Sequence, residues 1–211
     1  MEPEISAPSP IGNPFPSGRQ LPSDSPSPVG DCLPAGPIDT AAALALFDRL
    51  AVVDTNQLLG AWRGSSLASG HPFDGLLENC HWHGKRFESD EQVHPLVFRR
   101  RNGDLISLEP RLLTPGLNWL LSQPFLAKPL GNPLVGRLFQ LLMPLLATRH
   151  SRARLRITRH RGQESAAMIY DHAPIVDCFR RLDANTLLGV MDLKGMQQPF
   201  FFVLCREGGD S

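Results

Sequence analysis

The sequence lacks the features that would assign it to several large classes of protein. Its 211 residues include four cysteines, none in a CxxC pair, so neither a disulfide-stapled fold nor a cysteine-based zinc site is indicated. No uninterrupted apolar run reaches the ~18 residues of a membrane-spanning helix. The first residues, Met-Glu-Pro-Glu, carry no basic segment followed by an apolar one. We therefore expect no secretory signal, and a cytoplasmic protein with reduced thiols.

An excess of charge of either sign is also absent. Lys and Arg together number 21, as do Asp and Glu, so the formal net charge is zero. The overall charge thus indicates no polyanionic partner, and the arginine-rich segment near residue 155 has no interleaved aromatic residues for base stacking. We expect no nucleic-acid partner.

Proline and apolar residues are unevenly distributed, and their distribution divides the chain. Residues 1–37 contain ten of the twenty prolines, which predicts a disordered tail rich in Pro and Ser. Residues 38–111 and 149–206 have strand-like patterns and are predicted to form the two halves of one barrel. Residues 112–148 form an apolar insertion, helical over 134–143, that would serve as a lid. Residues 207–211 are a second disordered tail.

Short, evenly spaced segments of alternating polarity predict an antiparallel β-barrel or β-sandwich. A helix over 41–53, capped by Asp39 or Thr40, and a short helix over 72–79 accompany the strands. Asn102-Gly103 predicts a two-residue hairpin turn. The last strand is apolar on both faces, which favours a barrel with a helix against its outside. Strands are predicted at 60–67, 84–89, 93–101, 104–108, 152–157, 164–170, 174–182, 186–192 and 200–206.

Two groups of motifs resemble a known family. Gly60-Ala61-Trp62-Arg63-Gly64 matches the motif of the GXWXG domain, and the match continues through Trp82, Gly84-Lys85-Arg86-Phe87 and Val93-His94-Pro95. The second half, including Ala167–Asp171 and Leu188–Asp192, resembles domain of unknown function 4334. The resemblance spans about residues 42–206. It implies a shared fold more directly than a function.

A looser resemblance, to lipocalin-like barrels that include the nitrobindins, implies roles for the glycine–tryptophan motif. In those proteins a tryptophan closes one barrel end, often under an arginine from the last strand. The resemblance implies that Gly60, Trp62, Gly64 and Arg206 close the barrel, with the glycines making room for the indole; direct ligand contact by Trp62 is the alternative.

Nitrobindins hold haem through a histidine late in the chain. Here the last histidines are His160 and His172, and the final strand has none. We therefore expect no cofactor, with haem as the alternative.

Metal-binding and catalytic patterns are weak. Cys80, His81 and His83 lie close together, but no spacing typical of a zinc site appears, and we expect no metal. Asp177 and Cys178 would point to opposite faces of one strand, and no nucleophile motif appears. We therefore expect a binding protein with no catalytic residues rather than an enzyme.

Charged residues inside apolar strands are the candidate ligand site. Buried charges are costly unless paired, and polar groups in an apolar cavity orient ligands. We predict that the barrel binds a hydrophobic or amphipathic small molecule, with a fatty acid or phospholipid as the leading class. A barrel enzyme, a tetrapyrrole-binding protein and a structural module with a filled interior are the alternatives, and structural ion pairs or solvated faces would equally explain the charges. The candidate ligand-binding residues are Trp62, Trp82, Lys85, Arg86, Tyr170, Asp177, Arg180 and Asp192.

Six arginines follow the insertion without an acidic residue among them, at positions 149, 152, 154, 156, 159 and 161. An apolar segment beside a basic strip is typical of a contact with an anionic membrane surface. We predict such a peripheral contact through 134–161, with a solvated strand face as the alternative.

Overall fold

The computed structural model of the protein describes residues 36–113 and 133–208, except the side chains of 133–135. Most of the two predicted tails and residues 114–132 of the predicted insertion lie outside the described residues. Within the described part, three helices of four to ten residues precede or interrupt the first strands, residues 110–113 form a further helical turn, and a helix of ten residues follows the gap. The helices are α1 (Thr40–Arg49), α2 (Thr55–Leu58), α3 (Leu76–Asn79) and α4 (Pro133–Leu142), the last continuing into a 3-10 turn (Met143–Leu146).

The strands form one antiparallel sheet of ten members, which confirms the predicted mainly β, antiparallel class. In order along the chain they are β1 (Gly60–Ser66), β2 (Trp82–Phe87), β3 (Val93–Arg99), β4 (Leu105–Leu108), β5 (Ala147–Thr148), β6 (Ala153–His160), β7 (Gln163–Tyr170), β8 (Ile175–Arg181), β9 (Thr186–Leu193) and β10 (Phe200–Arg206).

Eight of these strands close into a ring. Their order is β2-β1-β10-β9-β8-β7-β6-β3, and a further pairing of β2 with β3 joins the two ends. Strands β4 and β5 extend the sheet beyond β3. Strands β2 and β8 therefore lie on opposite sides of the ring. Side chains that meet between these two strands do so across its interior.

Helix α1 covers the outside of the ring. Its Phe47 and Ala43 are buried against the outward side chains of β7 to β10, among them Phe201 and Leu188. Asp39 caps the helix by accepting a hydrogen bond from the Ala42 amide at 2.7 Å, as one of the two predicted caps. The apolar outer face of the last strand is thus explained, because a helix covers it.

A helix end, a short helix and a hairpin turn differ from their predictions, and β2 and β6 differ at their limits. Helix α1 ends at Arg49 instead of 53, because the next residues are extended: Ala51 bridges Arg181, and the Val53 amide donates to Ser165 Oγ. The predicted helix over 72–79 is helical only in α3. The Asn102-Gly103 turn holds three residues, since Arg100 N–H donates to the Asp104 carbonyl and Gly103 takes the left-handed conformation. No helix within the described ranges is long and apolar enough to cross a membrane.

Candidate functional site

A β-bulge in β2 determines which of its side chains enter the ring. Pairing with β3 shifts on both sides of Gly84, whose φ is +147°. A Cβ at Gly84 would lie 1.9 Å from the carbonyl oxygen of Trp62, so only glycine allows the two backbones to approach this closely. Strict alternation from Trp82 would place residue 86 inside. The bulge places Lys85 there instead.

Lys85 meets Asp177 across the interior. Lys85 is on β2 and Asp177 on β8, and the ammonium Nζ lies 2.8 Å from Asp177 Oδ2. The two side chains are only 3% and 1% exposed. Lys85 also donates to the Pro95 carbonyl at 3.2 Å. We call these two residues the interior pair. Taking two charges out of water is unfavourable unless the geometry compensates for the lost hydration.

Aromatic rings surround the ammonium of the interior pair. The centroids lie 4.8 Å (Phe202), 5.6 Å (Trp82) and 5.9 Å (Tyr170) from Nζ. Ring faces attract cations, most strongly where water is excluded. The rings therefore replace part of the hydration that Lys85 loses. They also make most of the surface around the ammonium apolar.

The acidic member of the interior pair is incompletely satisfied. Asp177 Oδ1 is buried and accepts no hydrogen bond within the described residues. Burial raises the pKa of Asp177, and the neighbouring Lys85 opposes that rise. Burial, with a contribution from Asp177, also raises the pKa of the Tyr170 phenol well above its usual value. The interior thus holds a cation, an acceptor oxygen that lacks a donor and a protonated phenol, a set able to orient one polar group.

Trp62 and Arg206 are in contact next to α2. The indole Nε1 donates to the Leu58 carbonyl at 2.6 Å, and the Arg206 guanidinium carbon lies 4.2 Å from the indole centroid. Arg206 also donates to the carbonyls of Gln57 and Leu59, at 2.5 and 2.7 Å. These carbonyls lie at the C-terminal end of α2, where helical partners are missing. The contact between Arg206 and Trp62 that the resemblance implies is therefore present.

The glycines of the motif make room for other side chains than expected. A Cβ at Gly64 would lie 2.3 Å from the ring of Trp82, and one at Gly60 would lie 3.2 Å from Arg206. The expectation that both glycines accommodate the Trp62 indole is corrected accordingly. Gly64 admits the neighbouring strand's tryptophan, and Gly60 admits the arginine that stacks on Trp62.

The structure does not bring Arg86, Arg180 and Asp192 to the interior pair. Arg86 is bonded to Glu88 at 2.7 Å. Arg180 is buried beneath α1, with its guanidinium 4.8 Å from the Phe47 centroid and a bond to the His160 carbonyl. Asp192 is exposed. For Arg180 the reason is the alternation of side chains along a strand. Asp177 faces inward on β8, so Arg180, three residues later, faces outward.

The histidines and Cys178 were weak candidates for metal binding or catalysis. No cluster able to hold a metal ion occurs in the chain as far as the structure describes it. Cys178 points toward α1, away from Asp177, and burial raises the pKa of its thiol to about 11. Such a thiol is protonated at neutral pH and is a poor nucleophile.

The late histidines do not fit haem ligation from the interior. His160 packs against Phe47 of α1 on the outside of the ring, with the ring centroids 6.0 Å apart. His172 is exposed in the turn between β7 and β8. Neither side chain faces the interior pair.

Most of the arginine strip is neutralised by acidic residues from other segments, which the sequence pattern did not reveal. Ion pairs join Arg152 to Glu109, Arg154 to Asp171, Arg156 to Glu91 and Arg161 to Asp48. Four of the six arginines are thus ion-paired, and the membrane contact through 134–161 stays a prediction.

Sequence reasoning missed two residues of the site. Of the aromatic rings, that of Phe202 lies closest to the ammonium. It fits against the neighbouring strand because residue 189 is glycine: a Cβ there would lie 2.3 Å from the ring. A glycine inside an apolar strand was the available signal. Phe179 stacks edge-on against both Phe202 and Phe87, with centroids 6.1 and 5.9 Å apart.

Comparisons with known proteins agree with the resemblance seen in the sequence. The GXWXG protein family matches residues 45–103, and the domain of unknown function (DUF4334) matches residues 151–206. A crystal structure of a protein from Thermomonospora curvata is 32% identical, with a TM-score of 0.58, over 81% of this chain and 90% of that one. No curated protein matches. The chain belongs to the family of proteins that combine a GXWXG domain with a DUF4334 domain.

Proposed function

We propose that this protein is a lipocalin-like β-barrel that binds an amphipathic small molecule inside the ring, a fatty acid or a phospholipid being the leading class. The observation that carries the proposal is the interior pair, a buried lysine and aspartate held among aromatic rings. Binding sites for such ligands are largely apolar with a few oriented polar groups. The interior pair would meet the polar end and the aromatic rings the apolar body.

The pair suits a carboxylate head group in one protonation state. With a fatty acid bound, its carboxylate would lie against the Lys85 ammonium. Asp177, whose pKa is raised by burial, would then take up a proton from solvent and donate a hydrogen bond to that carboxylate. Tyr170 offers a further hydroxyl donor. The ligand would lie on the Tyr170 side of the pair, since Phe87 and Phe179, two residues beyond Lys85 and Asp177 on β2 and β8, meet across the ring.

The contact between Phe87 and Phe179 also favours a second candidate, a structural module with a filled interior. Those rings belong to β2 and β8, on opposite sides of the ring, with centroids 5.9 Å apart. In that case the interior pair would fix the register of the two strands. A ligand-binding experiment separates the candidates.

The test is native mass spectrometry of the purified full-length protein, followed by titration with the fluorescent fatty acid parinaric acid. We expect a co-purifying small molecule and saturable binding. The double variant Lys85→Met/Asp177→Leu keeps the interior filled and should bind at least about tenfold more weakly, the loss of one charge-assisted hydrogen bond. Arg86→Gln, next to Lys85 but directed outward, should bind like the parent. The absence of any co-purifying molecule together with unsaturable fluorescence would refute ligand binding.

We also propose that the protein is located in the cytoplasm. Cys80, Cys178 and Cys205 are free thiols, which fits a reducing compartment.

A further inference from the structure

Helix α4 carries two apolar faces, and only one of them is packed. Gly136, Phe139 and Met143 lie on the inner face: a Cβ at Gly136 would lie 2.1 Å from the Asn79 carbonyl oxygen, Phe139 contacts Phe98, and Met143 is fully buried. Gln140 on the same face donates to the carbonyls of Cys80 and Arg99. The helix is thus anchored firmly to α3 and to the strands beside it.

The opposite face of α4 and its 3-10 continuation is a row of exposed leucines. Leu141 and Leu145 are 75% and 77% exposed, the largest values among the exposed large hydrophobic side chains of the described residues. Together with Leu138 and Leu142 they follow the spacing i, i+3, i+4, i+7, which aligns them on one side of a helix. We call these four residues the leucine stripe. A contiguous exposed patch of this kind marks an interaction surface.

A basic pocket borders the leucine stripe. The pocket has a volume of about 240 Å³, and its cationic residues are Arg101 and Arg137. Neither arginine has an acidic partner within 4 Å among the described residues. Glu78, the acidic residue of the lining, uses both oxygens to accept hydrogen bonds from Ser66. Since Arg137 directly precedes Leu138 on α4, the unpaired charge lies at the margin of the apolar surface.

We propose that the leucine stripe inserts into the surface of an anionic lipid bilayer while Arg101 and Arg137 bind its phosphate head groups. Exposed leucines next to unpaired arginines are the two components of interfacial membrane binding, apolar insertion and attraction to anionic lipid. The charge comes from these two arginines rather than from the strip over 149–161, most of which is ion-paired. Membrane binding and binding of an interior ligand are separate properties, and either can fail alone.

The experiment is co-sedimentation of the full-length protein with vesicles of phosphatidylcholine alone or of phosphatidylcholine and phosphatidylglycerol in equal parts. We expect binding to the anionic vesicles, with weaker binding at high salt. Leu141→Ser/Leu145→Ser should lower the partition coefficient at least about tenfold. Arg101→Gln and Arg137→Gln should each lower it about fivefold.

Matched controls come from another exposed surface. Ile157→Ser removes an apolar side chain that is 47% exposed on β6, and Arg159→Gln removes an exposed arginine of the same strand; both should bind like the parent. Absence of binding to anionic vesicles, equal binding to both kinds of vesicle, or binding unaffected by the stripe variant overturns the proposal. A dimer in analytical ultracentrifugation that the stripe variant dissociates, without vesicle binding, would assign the leucine stripe to a second copy of the chain.

Discussion

Replacing Lys85 by methionine tests whether the interior pair is a true buried ion pair. The change keeps the length and apolar stem of the side chain but removes the charge that lies 2.8 Å from Asp177. Asp177, 1% exposed, then has two routes. It can stay ionised and unpaired in the interior, or it can bind a proton.

The protonation route sets an upper limit on the loss of unfolding free energy in Lys85→Met. Starting from the ordinary aspartate pKa of 3.8, keeping the carboxyl protonated at pH 7 costs about 4 kcal/mol, at 1.36 kcal/mol per pKa unit. Breaking buried pairs on one side generally costs about 3–5 kcal/mol. We therefore expect Lys85→Met to lower the free energy of unfolding by about 3–4 kcal/mol at pH 7.

The same reasoning fixes the sign of the pH dependence. In the variant, the folded-state pKa of Asp177 is above its unfolded value, so between the two values the folded state binds more protons and stability falls as pH rises. Lowering the pH from 7 to 5 should restore about 2–3 kcal/mol of the loss relative to the parent. Urea unfolding followed by tryptophan fluorescence at both pH values measures it.

Two variants control this prediction. Lys85→Met/Asp177→Leu removes both charges and should recover most of the stability, because apolar replacements of a buried pair are often neutral. Arg86→Met, on the neighbouring outward side chain, should cost less than about 1 kcal/mol. A Lys85→Met protein as stable as the parent at pH 7, or one whose deficit does not change with pH, would show that the pair is not buried as described.

Three further substitutions test the surrounding framework by the same urea titration. Trp62→Ala should lower the free energy of unfolding by about 3–5 kcal/mol, as for other buried aromatic residues; a folded protein that lost only its ligand would contradict this. Gly84→Ala should cost more than Gly103→Ala, since both need a positive φ but only the Cβ at position 84 meets backbone; equal losses would argue against the close approach. Arg206→Lys loses the planar stacking on Trp62 and should cost about 1–2 kcal/mol, and a neutral result would contradict that contribution.

The strand pattern of the sequence predicted the framework because it reflects burial on two faces. The limits of β10 match the prediction, and the doubly apolar pattern of Phe200–Arg206 correctly indicated a covering helix. Errors arose where tertiary contacts override local preference. Residues 50–53 look helical, but they are held extended by Arg181 and Ser165.

The candidate site was predicted only in part, because one bulge changes which residues face inward. The sequence offered Lys85 and Arg86 together as adjacent basic residues in an apolar strand, and alternation alone does not say which one is buried. It offered Asp177 and Arg180 on the same grounds. Contacts that join distant strands, such as the acidic partners of the arginine strip, are likewise invisible in a pattern read along the chain.

The GXWXG motif is thereby connected to the candidate site through the neighbouring strand. Trp62 is directly opposite Lys85 in the pairing of β1 with β2, and its carbonyl is the group that Gly84 approaches. Gly64 leaves the space that the Trp82 ring fills, next to the ammonium. The motif therefore contacts β2 at three places: the ring of Trp82, the bulge at Gly84 and the backbone of Lys85. The position of Lys85 depends on the bulge that these residues permit. A substitution in the motif would therefore displace Lys85 from Asp177, although neither member of the interior pair is itself changed.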